Sequence, residues 1–579
     1  MSFVDGVSIS DILSTSQYEI PPFQRDYSWK KDQITEFWSD AIEVFGYNQS
    51  TYFFGPIVLI SSPQSKIVKI VDGQQRITSF QILICVIRDI LSNNGNKDNA
   101  SDLTTFLFPP MVKDKPRLKL NENNNDFFKN VILKEMDPDE KILEYKTVKF
   151  NEKTLYANYK ELYTLVKEKF YTSGKKNVVE ENAELFEFIK KILDAFRLYK
   201  ITVEDEDHAF KLFATLNQRG LDLDMSDLIK NYIFMQSRQD NRDDVHNTWK
   251  KVIENLGDDE KPDDFLRYNW IATYGYVTIQ NLYKELSEKI KTDQQIQTYI
   301  QTLLSDSIIY NEIINTKIDT KHGYHLNSLF VELRNDSAQP VILNGKKYWK
   351  NNPKDIESLS KLCLDVFFRG KTMGRKAPSA IGRCFAECAT LIKNGSDLSD
   401  IRNKLKSIDI SDEGFKSIIQ NSEPSKQISK YILKNIEINR ETTYNSKIIS
   451  RDITLEHIMP ESIEKQPDWY VADDETDSDG KKITDPNRFT SSQHRKLLKR
   501  IGNLTLLHKI PNSELKNISF ELKKLKYKTE SDINMTRELA DRTHWNEDTI
   551  LLRCDDLSGD ALTIWKTVLD DPTVDSQNV

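Results

Sequence analysis

Five cysteines in 579 residues are too few, and too scattered, for a disulfide framework. Cys384 and Cys388 lie one helical turn apart, but no second Cys or His pair accompanies Cys85, Cys363 or Cys554, which excludes a structural zinc spacing. Buried, reduced thiols in a cytoplasmic protein are the expectation. Glycine (19) and proline (18) are also sparse, which excludes low-complexity and collagen-like classes. No apolar run reaches the ~20 residues that span a bilayer; the stretch from Phe80 to Ile87 is among the longest. Met1 to Gly6 lacks a basic region followed by an apolar one, so no signal peptide is expected. A Gly-x4-Gly-Lys-Ser/Thr loop is missing as well, which excludes a P-loop site.

What is present fits a soluble globular chain, with 38% hydrophobic and 29% charged residues. At roughly 100–200 residues per domain, its length implies three or four domains. A formal net charge of −8 excludes a surface that attracts nucleic acid everywhere. Between Ser491 and Glu530, however, ten basic residues face three acidic ones. That local excess suits a phosphate-binding face and equally a solvated lysine-rich helix.

Periodicity gives a chain with α+β ends and a helical middle. Ile9 to Leu13 and Ser28 to Phe45 read as helices. Phe53 to Ile60 and Lys66 to Val71 read as strands, and Ile77 to Leu91 as an apolar helix. Residues 91–235 read as mainly helical, with Gly220 as a left-handed C-cap. Residues 236–440 read as successive amphipathic helices. The basic run Arg369 to Lys376 reads as a solvated loop, with DNA backbone contact as the alternative, and Asp468 to Asp479 as an acidic loop. The expected domains are 1–235, 236–440 and 441–579.

Two constellations carry chemistry. The first is Thr454-Leu455-Glu456-His457-Ile458-Met459-Pro460, then Ile501-Gly502-Asn503-Leu504-Thr505-Leu506-Leu507, then Asn512. One carboxylate, one imidazole and two carboxamides form the kit of an HNH nuclease, with an imidazole to activate water and oxygen ligands for a hard divalent metal. His457 follows a β-like stretch. In a regular strand Glu456 points the other way, so a turn has to intervene for both to face a metal. Asn503 suits bracing of backbone groups; Asn512, after Pro511, suits a helix cap or a metal ligand. His508 reads as structural.

The second constellation is Gln24-Arg25-Asp26-Tyr27-Ser28-Trp29 with Asp72-Gly73-Gln74-Gln75-Arg76. The latter run sits at a strand-to-helix junction, where free N–H groups attract anions. Arg25 and Arg76 are suited to gripping phosphate, Gly73 to close backbone approach, Asp72 to a metal, and Gln24, Gln74 and Gln75 to orienting water or reading a base edge. A buried polar network is the alternative. Tyr27 and Trp29 suit either base stacking or anchoring of the core.

In their order, these motifs resemble the GmrS/GmrD-type, modification-dependent (type IV) restriction endonucleases. Ile20 to Trp29, Phe54 to Leu59 and Asp72 to Arg76 resemble the family's ParB/sulfiredoxin-like N-terminal domain. Phe213-x3-Asn217-x-Arg219-Gly220-Leu221 with Asp227 to Asn231 is similar to its downstream companion. Phe23 stands where many relatives carry Tyr. The second half resembles the family's ββα-metal (HNH) domain, down to Trp545, Ile550, Arg553 and Leu557.

The resemblance implies a modification-dependent DNA endonuclease of anti-phage defence. His457 is then the general base, Asn503 the middle asparagine, and Glu456 and Asn512 the metal ligands. Lys523 or Lys524 is the lysine near the scissile phosphate. It further implies Mg²⁺ or Mn²⁺, an NTP (GTP, ATP or other) at the N-terminal site, and DNA, modified in some way, as partner. A homodimer is left open. The alternatives are a nicking or RNA-directed defence nuclease, and a nucleotide-switched DNA-binding protein with a degenerate nuclease centre.

Overall fold

The computed structural model describes residues 4–21, 24–47, 49–61, 67–110, 115–144, 152–171, 176–204, 209, 225–257, 261–318, 320–440, 453–464, 466–472, 488–509, 515 and 517–570. Contacts group the chain into two compact units. One is Met1–Glu254 with Ile279–Leu304; the other is Asn255–Thr278 with Ser305–Val579. The second unit therefore contains most of the helical middle as well as the C-terminal motifs. Among the described residues, no helix is long and apolar enough to cross a membrane.

The first unit is built on a six-stranded sheet. Its strands are β1 (Val4–Ser8), β2 (Gln17–Glu19), β3 (Tyr52–Ile60), β4 (Ile67–Asp72), β5 (Leu118–Lys119) and β6 (Phe196–Val203), in the order β1-β6-β3-β4-β2-β5. β-Branched and aromatic residues make β3 and β4 good strands. They pair antiparallel, while β3 and β6 run parallel. Helices of this unit's core include α1 (Ile9–Thr15), α2 (Lys31–Gly46), α3 (Gln74–Asn93) and α4 (Lys153–Phe170). α3 is buried on all sides from Ile77 to Leu91, as its unbroken apolar run requires. α5 (Met225–Gln236) follows residues outside the described set, among them the Phe213 to Leu221 motif and its Gly220.

The second unit is helical until β7 (Ile453–His457) pairs antiparallel with β8 (Leu504–His508), His457 opposite Leu504. Four helices frame this hairpin: α6 (Lys426–Arg440), α7 (Ser491–Leu497), α8 (Phe520–Glu530) and α9 (Glu547–Ile564). Their apolar faces share one core with Ile453, Leu506 and Trp545. All five cysteines are free and buried.

The solvated loop expected at Arg369 to Lys376 needs correcting. Phe367–Met373 forms a π-helical turn, and Arg369 is fully buried. Its guanidinium meets Asp409 at 3.0 Å and donates to the Trp565 carbonyl at 2.9 Å. A guanidinium is buried when its donors find partners, and the partners here come from segments 40 and 196 positions away. Local sequence could not reveal them.

Candidate active site

β7 is a regular strand through His457, so Glu456 and His457 face opposite sides. Glu456 points into the core and is buried. Its Oε1 accepts from Lys523 Nζ at 2.6 Å and from the Tyr527 hydroxyl at 3.2 Å. Lys523 also donates to the His457 carbonyl at 2.7 Å. Burial raises the Glu456 pKa and lowers that of Lys523, and each opposes the shift of the other. The 2.6 Å contact keeps them an ion pair. Lys524 is engaged elsewhere, with Glu521 at 2.8 Å and the Arg542 carbonyl at 3.2 Å.

His457 faces a cavity of about 290 Å³ whose walls include Lys426, Ser429, Glu461, Leu498 and Lys499. Its Nδ1 lies 3.5 Å from Glu461 Oε1. Asn503 fixes the backbone beyond it. The carboxamide accepts from the Met459 N–H at 2.8 Å and from Trp545 Nε1 at 3.1 Å; it donates to the carbonyls of Met459 and Leu498. The Asn503 carbonyl accepts from the Ile458 N–H. This carboxamide therefore stitches the two halves of the motif together.

α9 completes the brace. Arg553 donates to the carbonyls of Gly502 and Leu504 at 2.7 and 2.6 Å. A Cβ on Gly502 would lie 2.1 Å from the Ile550 carbonyl oxygen, so only glycine lets α9 approach. Trp545, Ile550 and Arg553 thus hold the Gly502–Leu504 segment. His508 is paired with Asp532 at 2.8 Å.

Burial holds the His457 imidazole below the ordinary histidine range; Glu461 opposes this, and Lys426, Lys523 and His494 add to it. At neutral pH the ring is unprotonated, as a base has to be. A reaction that uses His457 as its base should therefore stay level near pH 7 and fall only on the acid side, below the ordinary histidine range. Glu461→Gln removes the charge that favours protonation, so it should move that limb to still lower pH. A pH profile of kcat/KM checks both; an acid limb at or above the ordinary histidine value contradicts the assignment.

Hard divalent ions take oxygen ligands. Among the described residues, no three His, Cys, Asp or Glu side chains converge on one point. Glu456 and Glu461 are carboxylates of the right type, but Glu456 is committed to Lys523, and Asn512 lies outside the described residues. The described donors alone do not make up a metal site.

In the first unit the structure brings Gln24, Arg25, Asp72, Gly73, Gln74, Gln75 and Arg76 together. Gln24 donates to the Val71 carbonyl at 2.8 Å and accepts from Gln74 at 3.3 Å. Gln75 accepts from the Ser28 N–H and donates to the Asp26 carbonyl. All three glutamines are buried, and the Gln74 Oε1 has no hydrogen-bond partner among the described residues. Gly73 adopts φ 92° at the start of α3. Arg76 pairs with Asp72 at 3.6 Å and reaches over Gly55 to the Phe54 carbonyl. Arg25 lies 3.8 Å from Asp227. Burial raises the Asp72 pKa against the pull of Arg76, the Gly73 N–H and Arg25.

Tyr27 is buried, its hydroxyl 2.7 Å from Ser79, and Trp29 packs on Phe37 and Phe54; both anchor the core. The hollow beside Arg25, Tyr27, Gln74 and Asn121 is about 10 Å³, room for one water. Asn121 was missed by the motif reading. It donates to the Gln24 carbonyl and to Asp26, and its position in an Asn-rich stretch gave no signal. Lys230, on α5, also feels Asp227 and Asp26, while burial lowers its pKa.

One unit thus carries His457 at the mouth of a cavity, braced through Asn503, and the other a charged polar cluster around Arg25, Asp72 and Arg76. The N-terminal domain of the GmrSD restriction endonucleases matches residues 9–234, and their C-terminal domain matches residues 408–559. The chain belongs to the GmrSD family of type IV restriction endonucleases. No curated protein matches it significantly.

Proposed function

We propose that this chain is a modification-dependent DNA endonuclease of anti-phage defence. In this reading the C-terminal region is a ββα-metal (HNH) nuclease, and a ParB/sulfiredoxin-like N-terminal domain regulates it through NTP binding or hydrolysis. The observation that carries it is His457 at the end of β7, its backbone braced through Asn503 and its ring facing a cavity with Lys426 and Lys499 on its walls. His457 takes the proton from the attacking water. Asn503 holds the loop that fixes the ring. A divalent ion, Mg²⁺ or Mn²⁺, supplies charge stabilisation at the leaving oxygen when bound. Asn512 would be one ligand; Glu456, on the face of β7 opposite His457 and paired with Lys523, would have to give up that ammonium to be another. The test is cleavage of unmodified, glucosylated, methylated and phosphorothioated DNA, with and without each NTP. No cleavage of any of them, with Mg²⁺ or Mn²⁺ present, rejects the reading.

For the N-terminal unit, support comes from the family domain and from the convergence of Arg25, Arg76 and Lys230. Arg76→Ala should weaken NTP binding about 10-fold or more, the loss of a hydrogen-bonded charge. Unchanged affinity in calorimetry removes Arg76 from the site. Nucleotide should also change cleavage by the full chain, through two states that nucleotide and DNA favour differently. Free Mg²⁺ is held constant in this assay because NTP chelates it. Identical responses of wild type and Arg76→Ala to every nucleotide show that the site does not control the cut.

A further inference from the structure

The lysine expected near the scissile phosphate, Lys523 or Lys524, is not free to take that role in this fold. Lys523 is fully buried behind β7, with its ammonium on Glu456 and on the His457 carbonyl. Lys524 is held by Glu521 and the Arg542 carbonyl. The cavity that His457 faces nevertheless has two lysines on its walls, alongside the carboxylates of Glu423 and Glu461. Lys426 comes from the first turn of α6, and Lys499 follows α7. Leu455, Leu498 and Leu504 form the apolar part of the lining.

We propose that this cavity seats the scissile phosphate and that Lys499 and Lys426 are the positioning cations that hold its non-bridging oxygens. The inference rests on the nuclease reading above. Lys499 is exposed and makes no ion pair among the described residues, so its ammonium is available. Lys426 is paired with Glu461 at 3.1 Å, but both side chains are largely exposed. Such a pair is worth little, and a phosphate oxygen can replace the carboxylate. A lysine ammonium holds phosphate as a point charge. Contacts of this kind fix the backbone and carry no sequence information. The cut should then be placed by the DNA backbone, and its specificity supplied from elsewhere in the chain.

The experiment uses the full chain and whichever DNA of the panel above the wild type cuts. Lys499→Ala should raise KM about 10-fold with a smaller change in kcat, and Lys499→Arg should restore it. Lys426→Ala should act in the same direction, and the double variant more strongly. Binding of a fluorescein-labelled duplex of the same DNA is then measured in the His457→Ala background over a range of NaCl. Each lost phosphate contact should lower the salt slope by about 0.9. Wild-type KM and salt slope in all three alanine variants overturn the proposal, while loss of cutting in His457→Ala leaves the nuclease reading intact. Lys523→Met is the comparator. If it raises KM without loss of stability, Lys523 is the phosphate cation and the proposal fails. Wild-type cutting by His457→Ala defeats the nuclease reading itself, and the proposal with it.

Discussion

His457→Ala is expected to abolish DNA cleavage, lowering the rate about 100-fold or more, the usual contribution of a positioned base. DNA binding should persist, because it draws on many basic residues between Ser491 and Glu530. The ring sits at the edge of a cavity, so truncation should cost little stability. The measurement is single-turnover cleavage beside a binding titration and a melting curve on the same preparation. Full activity in a folded variant would remove His457 from the reaction. Loss of binding together with cleavage would mean that the ring shapes the surface.

Lys523→Met should act on stability instead. It leaves the Glu456 carboxylate buried with the Tyr527 hydroxyl but without its counter-charge. Removing one partner of a buried pair costs about 3–5 kcal/mol. In a unit of this size the melting midpoint should fall on the order of 10 °C. Adding Glu456→Gln should recover much of the loss, since the unpaired charge is then gone. Unchanged melting with lost cleavage would show that the ammonium serves the reaction and not the fold.

Elements with strong periodicity were legible in the sequence. β3, β4 and α3 follow from alternation and from an unbroken apolar run. β6 was not legible: Phe196–Val203 follows a helix directly and pairs with β1 and β3, far away in sequence. Short strands such as β2 and β5 carry too few residues for a period to show. At the C-terminal motif, residue types and order pointed to His457 and to a bracing Asn503. The alternation of β7 already placed Glu456 on the far side of the strand. What no spacing could reveal was its partner Lys523, 67 positions away. The glutamines beside Arg25 and Arg76 left a binding site and a buried network both open, and their long-range hydrogen bonds to Val71, Ser28 and Asp26 were not legible from spacing.

The grip of α9 on the Gly502–Leu504 segment has a consequence during synthesis. Arg553 and Cys554, which bond this segment, are translated about fifty residues after it. A ribosome that has just released β7 and β8 holds a chain whose histidine loop has Asn503 but lacks the Arg553 and Trp545 contacts that fix it. The cutting centre should therefore assemble only after α9 has emerged, once the N-terminal unit is already complete. A message broken before codon 553 should then yield a fragment without the nuclease activity of the full chain.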